Sequence, residues 1–234
     1  MAFLTVFKRR ELKYIITREE KERILRGIEQ YMKPDRYGRT TVRNVYFDTD
    51  NYRLIRRSIE KPIYKEKLRI RSYCRASDDS VVFVELKRKY DGVVYKRRMA
   101  TDNAHAMKWC SGGEFISSDD QIEREIDYFI RFYQGLRPTV FLSYDREAYH
   151  GIYDEGFRLT FDENILARTN ELSLTQPPYG EPLLNAAEVL MELKCAGGIP
   201  LFMVDILSSE KIYKTSFSKY GAAYRKLIFG GKCK

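Results

Sequence analysis

The segment Lys65-Glu66-Lys67-Leu68-Arg69-Ile70-Arg71 places a cation at every second position. In an extended strand, alternate side chains point to opposite faces. The cations therefore form a row on one face, while Leu68 and Ile70 fall on the other. Same-face neighbours of like charge repel one another, so the row asks for an anion lying along it. Arginine can grip two phosphate oxygens at once and lysine adds a point charge. The chemistry indicated is that of a ligand carrying several phosphates.

Other strands repeat the habit. Glu85, Lys87 and Lys89 share a face with Phe83 in Val82–Lys89, and Lys96 and Arg98 share one in the strand that follows. Glu11 pairs with Lys13, Tyr144 with Arg146, Arg158 with Thr160, and Glu192 with Lys194. An amphipathic strand with one solvated face explains any single case. Recurrence in so many strands favours cationic faces turned toward a shared bore, with a few carboxylates available for a metal. Phosphoryl transfer needs that inventory, because positioned cations and a divalent metal do most of the work. Carboxylate oxygens suit Mg²⁺ or Mn²⁺.

Alternative phosphate devices are missing from the sequence. There is no GxxxxGK[ST] loop and no GxGxxG. The Gly-Gly pairs at 112–113, 197–198 and 230–231 lack the surroundings of a phosphate cradle. His105 and His150 are the two histidines and sit in ordinary surroundings, so Ser-His-Asp chemistry and zinc are poorly supported. The 18 Tyr and 13 Phe raise base stacking, but core and rim positions account for most of them.

The chain has 234 residues, 42 Lys and Arg, 33 Asp and Glu, and a net charge of +9. That balance is compatible with nucleic acid, anionic membrane or phosphorylated ligands. Cys74, Cys110, Cys195 and Cys233 form no CxxC pair, which fits a reduced compartment. The N-terminus has the wrong order for a secretory signal. The apolar runs fall short of the ~18 residues of a membrane span. A soluble, cytoplasmic chain is expected.

The elements that must position these residues can be read coarsely. Glu11–Ile16 predicts a strand. Thr17 and Glu20 form a capping box opening a helix over 18–33, with Ile24, Leu25, Ile28 and Met32 on one side. Strands follow at 42–48, 63–75, 80–90 and 93–100, with a short helix or turn at 50–58 and a hairpin at Asp91-Gly92. Helices are expected at 101–111 and 120–134, then strands at 138–150, 156–162 and 188–195. A long loop covers 169–184, and a last helix spans about 209–228. The result is an α+β fold: an antiparallel β-barrel with helices packed outside, as a single domain over 1–234.

In order and spacing, several of these pieces resemble the VTC domain, the polyphosphate polymerase branch of the triphosphate tunnel metalloenzyme (CYTH-like) superfamily. The pieces are Glu11–Tyr14, Asn44–Thr49, Lys67–Arg71, Val84–Lys87 with Val93–Arg98, Ser143–Arg146, Met191–Lys194 and Phe217–Tyr220. The resemblance implies a basic tunnel in which the ATP γ-phosphate is joined to polyphosphate, with Mn²⁺ or Mg²⁺ required. It implies Arg69, Arg71, Lys87 and Arg146 as catalytic cations. Lys13, Arg158 and Lys219 are further implied phosphate ligands, with a cation from Lys96 or Arg98. Tyr144 and Ser218 are implied hydrogen-bonding partners, and Glu192 the metal ligand.

Two departures accompany the resemblance. Arg9 stands where the superfamily often opens with a carboxylate, which argues against the cyclase and triphosphatase branches. Ser216 stands where a terminal Lys is common, and Lys214 is the candidate substitute. Neither an SPX domain nor a membrane segment is seen, which reads as a stand-alone bacterial-type version that leaves room for a membrane partner. ATP and polyphosphate are the expected partners and nucleic acid is not. A triphosphatase and a non-catalytic polyanion-binding module remain open alternatives.

Overall fold

Alternation writes the first strand, β1 (Arg10–Thr17), whose Leu12, Tyr14 and Ile16 fall on one face. The computed structural model describes residues 10–91, 93–113 and 119–230. Arg9, Gly92, Gly231 and Cys233 lie outside the described residues. Thr17 ends β1 and caps the helix α1 (Arg18–Ile28). Its hydroxyl accepts from the Glu20 amide at 3.1 Å, while the Glu20 carboxylate accepts from the Thr17 amide at 2.7 Å. The capping box is therefore formed as expected.

The helix stops earlier than the predicted residue 33. Met32 belongs instead to a short strand, β2 (Met32–Pro34), which pairs antiparallel with β7 (Arg137–Gly151) through Met32 opposite Gly151. Met32 is buried in the same core as Ile24 and Ile28. Its spacing from Ile28 also suits a helical stripe, and spacing alone cannot separate that from a strand returning to the same core.

The remaining elements keep the predicted order, apart from a two-residue strand inside the predicted loop 169–184 and a helix starting at Leu201, neither of which was predicted. They are β3 (Thr40–Asp48), α2 (Arg53–Ile59), β4 (Tyr64–Ser72), β5 (Val81–Tyr90), β6 (Val93–Asp102), α3 (Asn103–Cys110), α4 (Gln121–Tyr133), β8 (Arg158–Arg168), β9 (Glu181–Pro182), β10 (Glu188–Cys195), α5 (Leu201–Ser209) and α6 (Lys219–Ala223). The predicted helix over 209–228 is corrected. Helix α5 ends there, and Lys211 takes φ +54°, a left-handed turn that stops a helix. Residues 211–218 are not helical, and the Thr215 amide donates to the Lys13 carbonyl at 2.7 Å. Helix α6 and a wide helical turn at Tyr224–Phe229 come after.

Strands pair in the order β1-β10-β8-β7-β3-β4-β5-β6, with β2 on β7 and β9 on β8. The registered pairs are antiparallel. A large antiparallel sheet with helices is thus confirmed. Closure into a barrel is not: the path starts at β1 and ends at β6, and these two are not paired among the described residues.

The chain divides into two compact units, each assembled from three separate stretches. One comprises residues up to Thr41, Tyr144–Ile165 and Leu184–Ser218. Its core joins Tyr14, Phe161 and Met191 from the strands to Ile24, Ile28, Met203 and Leu207 from α1 and α5. The other comprises Val42–Ser143, Leu166–Leu183 and the chain from Lys219. Its core joins Leu68, Ile70, Val84 and Leu86 to Trp109 of α3 and to Ile126, Phe129 and Ile130 of α4. In each unit the helices cover one strand face, so the alternate residues are committed to the other.

The predicted loop after β8 is organised by a cation. Arg168 is 3% exposed and donates to the carbonyls of Asn170, Glu171, Ser173, Pro177 and Tyr179. Its guanidinium lies 3.6 Å over the Phe141 ring and 4.2 Å over Tyr179. Arg168→Met keeps the apolar stem but strips these carbonyls of their donor. Urea denaturation should show a loss of about 2–4 kcal/mol. Limited proteolysis should cut first within 169–183, and an unchanged midpoint would contradict this role.

Candidate functional site

In the unit containing β3 to β6, register builds the site. Arg69 of β4 stands opposite Glu85 of β5, which stands opposite Arg98 of β6. The next rung is Lys67, Lys87 and Lys96. Leu68, Ile70, Val84 and Leu86 face the helices, which places these charged residues together on the opposite face.

Glu85 is 1% exposed and gathers the cations. The Arg69 guanidinium reaches it at 2.7 Å and Lys96 Nζ at 2.6 Å. Arg71 Nε stands 3.8 Å away and Arg98 Nε 3.7 Å. Burial alone would raise its carboxyl pKa, but Arg69, Arg71 and Lys96 hold it well below the usual carboxylate range. The Lys96 amine is pushed down to about 8, first by burial and further by Arg69 and Arg71, with Glu85 pulling the other way.

Second partners aim the arginines. Arg69 Nη1 donates to the Tyr46 hydroxyl at 2.9 Å, and Arg71 Nε donates to Asn44 Oδ1 at 3.0 Å. The Tyr46 ring stacks on Tyr220 of α6, 4.6 Å between centroids. Tyr220 in turn donates to Asp48 at 2.9 Å, and Asp48 accepts from the Leu54 and Ile55 amides at the start of α2. Arg98 lies 3.5 Å over the Phe83 ring.

The other unit carries its own polar face. Arg146 grips Asp162 with two hydrogen bonds of 2.6 and 2.7 Å and lies over the Tyr144 ring. Asp162 is fully buried. Burial would lower the Arg146 pKa, but Asp162, Tyr144 and Glu192 hold it well above the ordinary value. Glu192 stands between Lys13 and Thr160 in register. Its carboxylate is 3.0 Å from Lys194 Nζ and 3.9 Å from Lys13 Nζ. Lys13 also donates to the Phe217 carbonyl at 2.9 Å, directly before Ser218. Arg158 pairs with Asp35 at 2.9 Å.

The expected metal can be tested against these donors. No group of three or more His, Cys, Asp or Glu able to hold a metal occurs among the described residues. Glu192 is nonetheless a buried carboxylate, and the Thr160 hydroxyl on the neighbouring strand is buried with no hydrogen-bond partner among the described residues. One carboxylate completed by substrate phosphate oxygens is a usual form for Mg²⁺, and these residues fit that form.

The residues singled out from sequence therefore fall into two groups. Arg69, Arg71, Lys87, Lys96 and Arg98 share one face, so both candidates on β6 belong to it. Lys13, Tyr144, Arg146, Arg158 and Glu192 lie in the other unit, whose last residue is Ser218, while Lys219 opens α6. Sequence reasoning missed Glu85 as the central counter-ion, and missed Asp162, Asp35, Asn44 and Tyr46. Glu85 shares the parity of Lys87, but only its register with Arg69 and Arg98 reveals what it holds.

A family model described as the VTC domain matches residues 8–228. Among solved structures, the chain is similar to a candidate adenylate cyclase from Bacillus halodurans, with TM-score 0.55 and 16% identity over 94% of this chain and 99% of that one. It is also similar to a candidate adenylyl cyclase from Hippeastrum with a dominant triphosphatase activity, with TM-score 0.53 and 16% identity over 92% of this chain and 94% of that one. At such identity the likeness speaks for the fold alone. No curated protein matches the chain.

Two measurements probe the charge cluster. In amine-selective labelling across pH, Lys96 should lose its proton near pH 8, whereas ordinary lysines do so at about 10.4. Glu85→Gln removes the group that opposes this shift, so the Lys96 midpoint should move still lower; an unmoved midpoint would break the coupling. Because the Glu85 pKa is depressed on folding, its contribution to stability is present above about pH 4.3 and is lost as pH falls below that. Glu85→Gln should flatten the acid limb of the stability curve, and an unchanged limb counts against the assignment.

Proposed function

Since the chain belongs to the VTC domain family, we propose that it is a polyphosphate polymerase using ATP as phosphoryl donor. The observation that carries this reading is the cluster of Arg69, Arg71, Lys96 and Arg98 around one buried carboxylate. A single Glu85 cannot neutralise those cations. So many cations converging on one strand face suit a ligand with several phosphate groups better than a single carboxylate or monophosphate.

A terminal phosphate oxygen of the growing chain attacks the ATP γ-phosphorus. The new P–O bond forms as the bond from the γ-phosphorus to the β–γ bridging oxygen breaks, and ADP leaves with that oxygen. Charge on the transferring group is met by Arg69 and Arg71, whose directions are already fixed by Glu85, Tyr46 and Asn44. Lys87 adds point charge from the neighbouring rung. The other unit presents a candidate phosphate-binding face of its own, with Arg146 held to Asp162 through two of its nitrogens together with Tyr144, Arg158 and Lys13. Ser218, in the unit of Arg146, and Lys219, in the unit of Arg69, are the remaining phosphate ligands that the family resemblance implies. Glu192 would hold Mn²⁺ or Mg²⁺, which supplies Lewis-acid neutralisation of phosphate oxygens when bound. ATP as donor accords with the cytoplasmic location expected from the sequence. Among the described residues, no helix is long and apolar enough to cross a membrane.

A second reading is hydrolysis of triphosphates with water as nucleophile, motivated by the activity stated for the Hippeastrum protein of similar fold. A third is a polyanion-binding module without turnover. Incubation with ATP and Mn²⁺ separates them. Chains resolved on a gel support polymerisation, orthophosphate alone supports hydrolysis, and tight, salt-sensitive polyanion binding without turnover supports the module. Arg69→Ala and Arg146→Ala should each lower kcat by roughly 10²–10³. Glu192→Gln should remove turnover while keeping anion binding, and turnover unaffected by that change would sink the proposed metal ligand.

A further inference from the structure

Exposed apolar side chains collect at one end of the unit that contains β4 to β6. Tyr64 stands opposite Tyr90, and Tyr90 opposite Val93. One rung further in, Glu66, Arg88 and Tyr95 are aligned. These rungs share the parity of Leu68 and Leu86, so they lie on the face away from the charge cluster. The Ile63 carbonyl accepts from the Asp91 amide at 3.0 Å, which brings Ile63 beside Tyr90. Buried Glu66 accepts from Arg88 at 3.0 Å and from Tyr133 of α4 at 2.8 Å, so the end of α4 reaches the same rungs. There Phe132 packs edge-on against Tyr133 and stacks on Tyr128. Helix α4 does not cover this end: Ile63 is 70% exposed, and Tyr90 and Phe132 are each 56% exposed. Single exposed apolar residues are ordinary, but several held together mark a contact surface.

Cations border the patch. Arg53 and Arg57, one turn apart on α2, line a cleft with Tyr64, Glu66 and Tyr133. Arg53 lies over the Tyr133 ring at 5.4 Å. Lys61 follows in the next turn. All three are exposed, and none pairs with a carboxylate among the described residues. Glu60 and Asp91 are the exposed acids of the adjoining turns, while Glu66 and Glu125 are already engaged by Arg88 and Arg97.

We infer that this end of the unit, with Ile63, Tyr90 and Phe132 bordered by Arg53, Arg57 and Lys61, docks on the surface of an anionic phospholipid bilayer. Aromatic side chains favour the level of the lipid headgroups, and cations beside them are attracted by anionic lipid. A second copy of the chain fits less well, because a two-fold contact sets these cations against their own images. The contact is peripheral, since no described helix is long and apolar enough to cross a membrane. None of these six residues is assigned to phosphoryl transfer, so the inference stands apart from the polymerase reading.

The test is co-sedimentation with vesicles of phosphatidylcholine alone or mixed equally with phosphatidylglycerol. The wild type should bind the mixed vesicles, release as salt rises, and leave neutral vesicles largely unoccupied. I63S/Y90S should bind the mixed vesicles roughly tenfold more weakly, and R57Q/K61Q roughly thirtyfold more weakly. Melting temperatures close to wild type would show that both variants fold. Tyr90→Trp should shift its emission to the blue on mixed vesicles, against the constant background of Trp109, which is 1% exposed. Absence of binding to mixed vesicles overturns the inference, as does an emission that does not shift. Undiminished binding by I63S/Y90S means adhesion of a basic chain by charge alone, and overturns it too. Dimerisation in analytical ultracentrifugation that I63S/Y90S abolishes would make a second copy the occupant and likewise overturn the bilayer.

Discussion

A carboxylate taken out of water survives ionised only if cations come with it. Glu85 is that carboxylate. Arg69 and Lys96 approach within hydrogen-bonding range, while Arg71 and Arg98 stand farther off in the same field. The attraction keeps cations of like sign together on one strand face, where they would otherwise repel. Where their remaining donors point is fixed as well, because Tyr46 holds Arg69 through Nη1 and Asn44 holds Arg71 through Nε. Donors oriented in advance lose less side-chain entropy when a ligand binds, which is what the proposed function asks of them.

The same logic recurs in the other unit with different residues. Arg146 is locked to a buried Asp162, and Glu192 sits between lysines. Each unit covers one strand face with helices and leaves a charged face opposite. The hydrophobic cores therefore decide where the cations go. Leu68 and Ile70 pack against α3 and α4 in one unit, and Leu159, Phe161 and Met191 pack with α1 and α5 in the other. With those faces buried, Arg69, Arg71, Arg158 and Glu192 have one side left.

Partners distant in sequence tie the arrangement down. Tyr220 lies far along the chain from Asp48 and Tyr46, yet it bonds to the first and stacks on the second. Burial and the neighbouring Asp48 raise the Tyr220 phenol well above its ordinary pKa, so it stays a donor at neutral pH. Asp48 also closes the start of α2, since the Leu54 and Ile55 amides both donate to it. One buried carboxylate thereby joins a helix start, a late helix and the tyrosine that holds Arg69.

Most strands and their parity were legible because a period of two is local: each residue declares its face through its neighbours. The Thr17–Glu20 box was legible for the same reason. The end of α1 and the helix assigned to 209–228 were not. Met32 belongs to a strand because Gly151 lies opposite it, and the chain near Thr215 is held by the Lys13 carbonyl rather than by helical bonds. The sequence by itself determined that cations and apolar residues lie on opposite strand faces. Only the tertiary structure decided which carboxylate each cation meets. Glu85, Asp162 and Asp35 became counter-ions through register and chain return across long separations, and no local pattern encodes that.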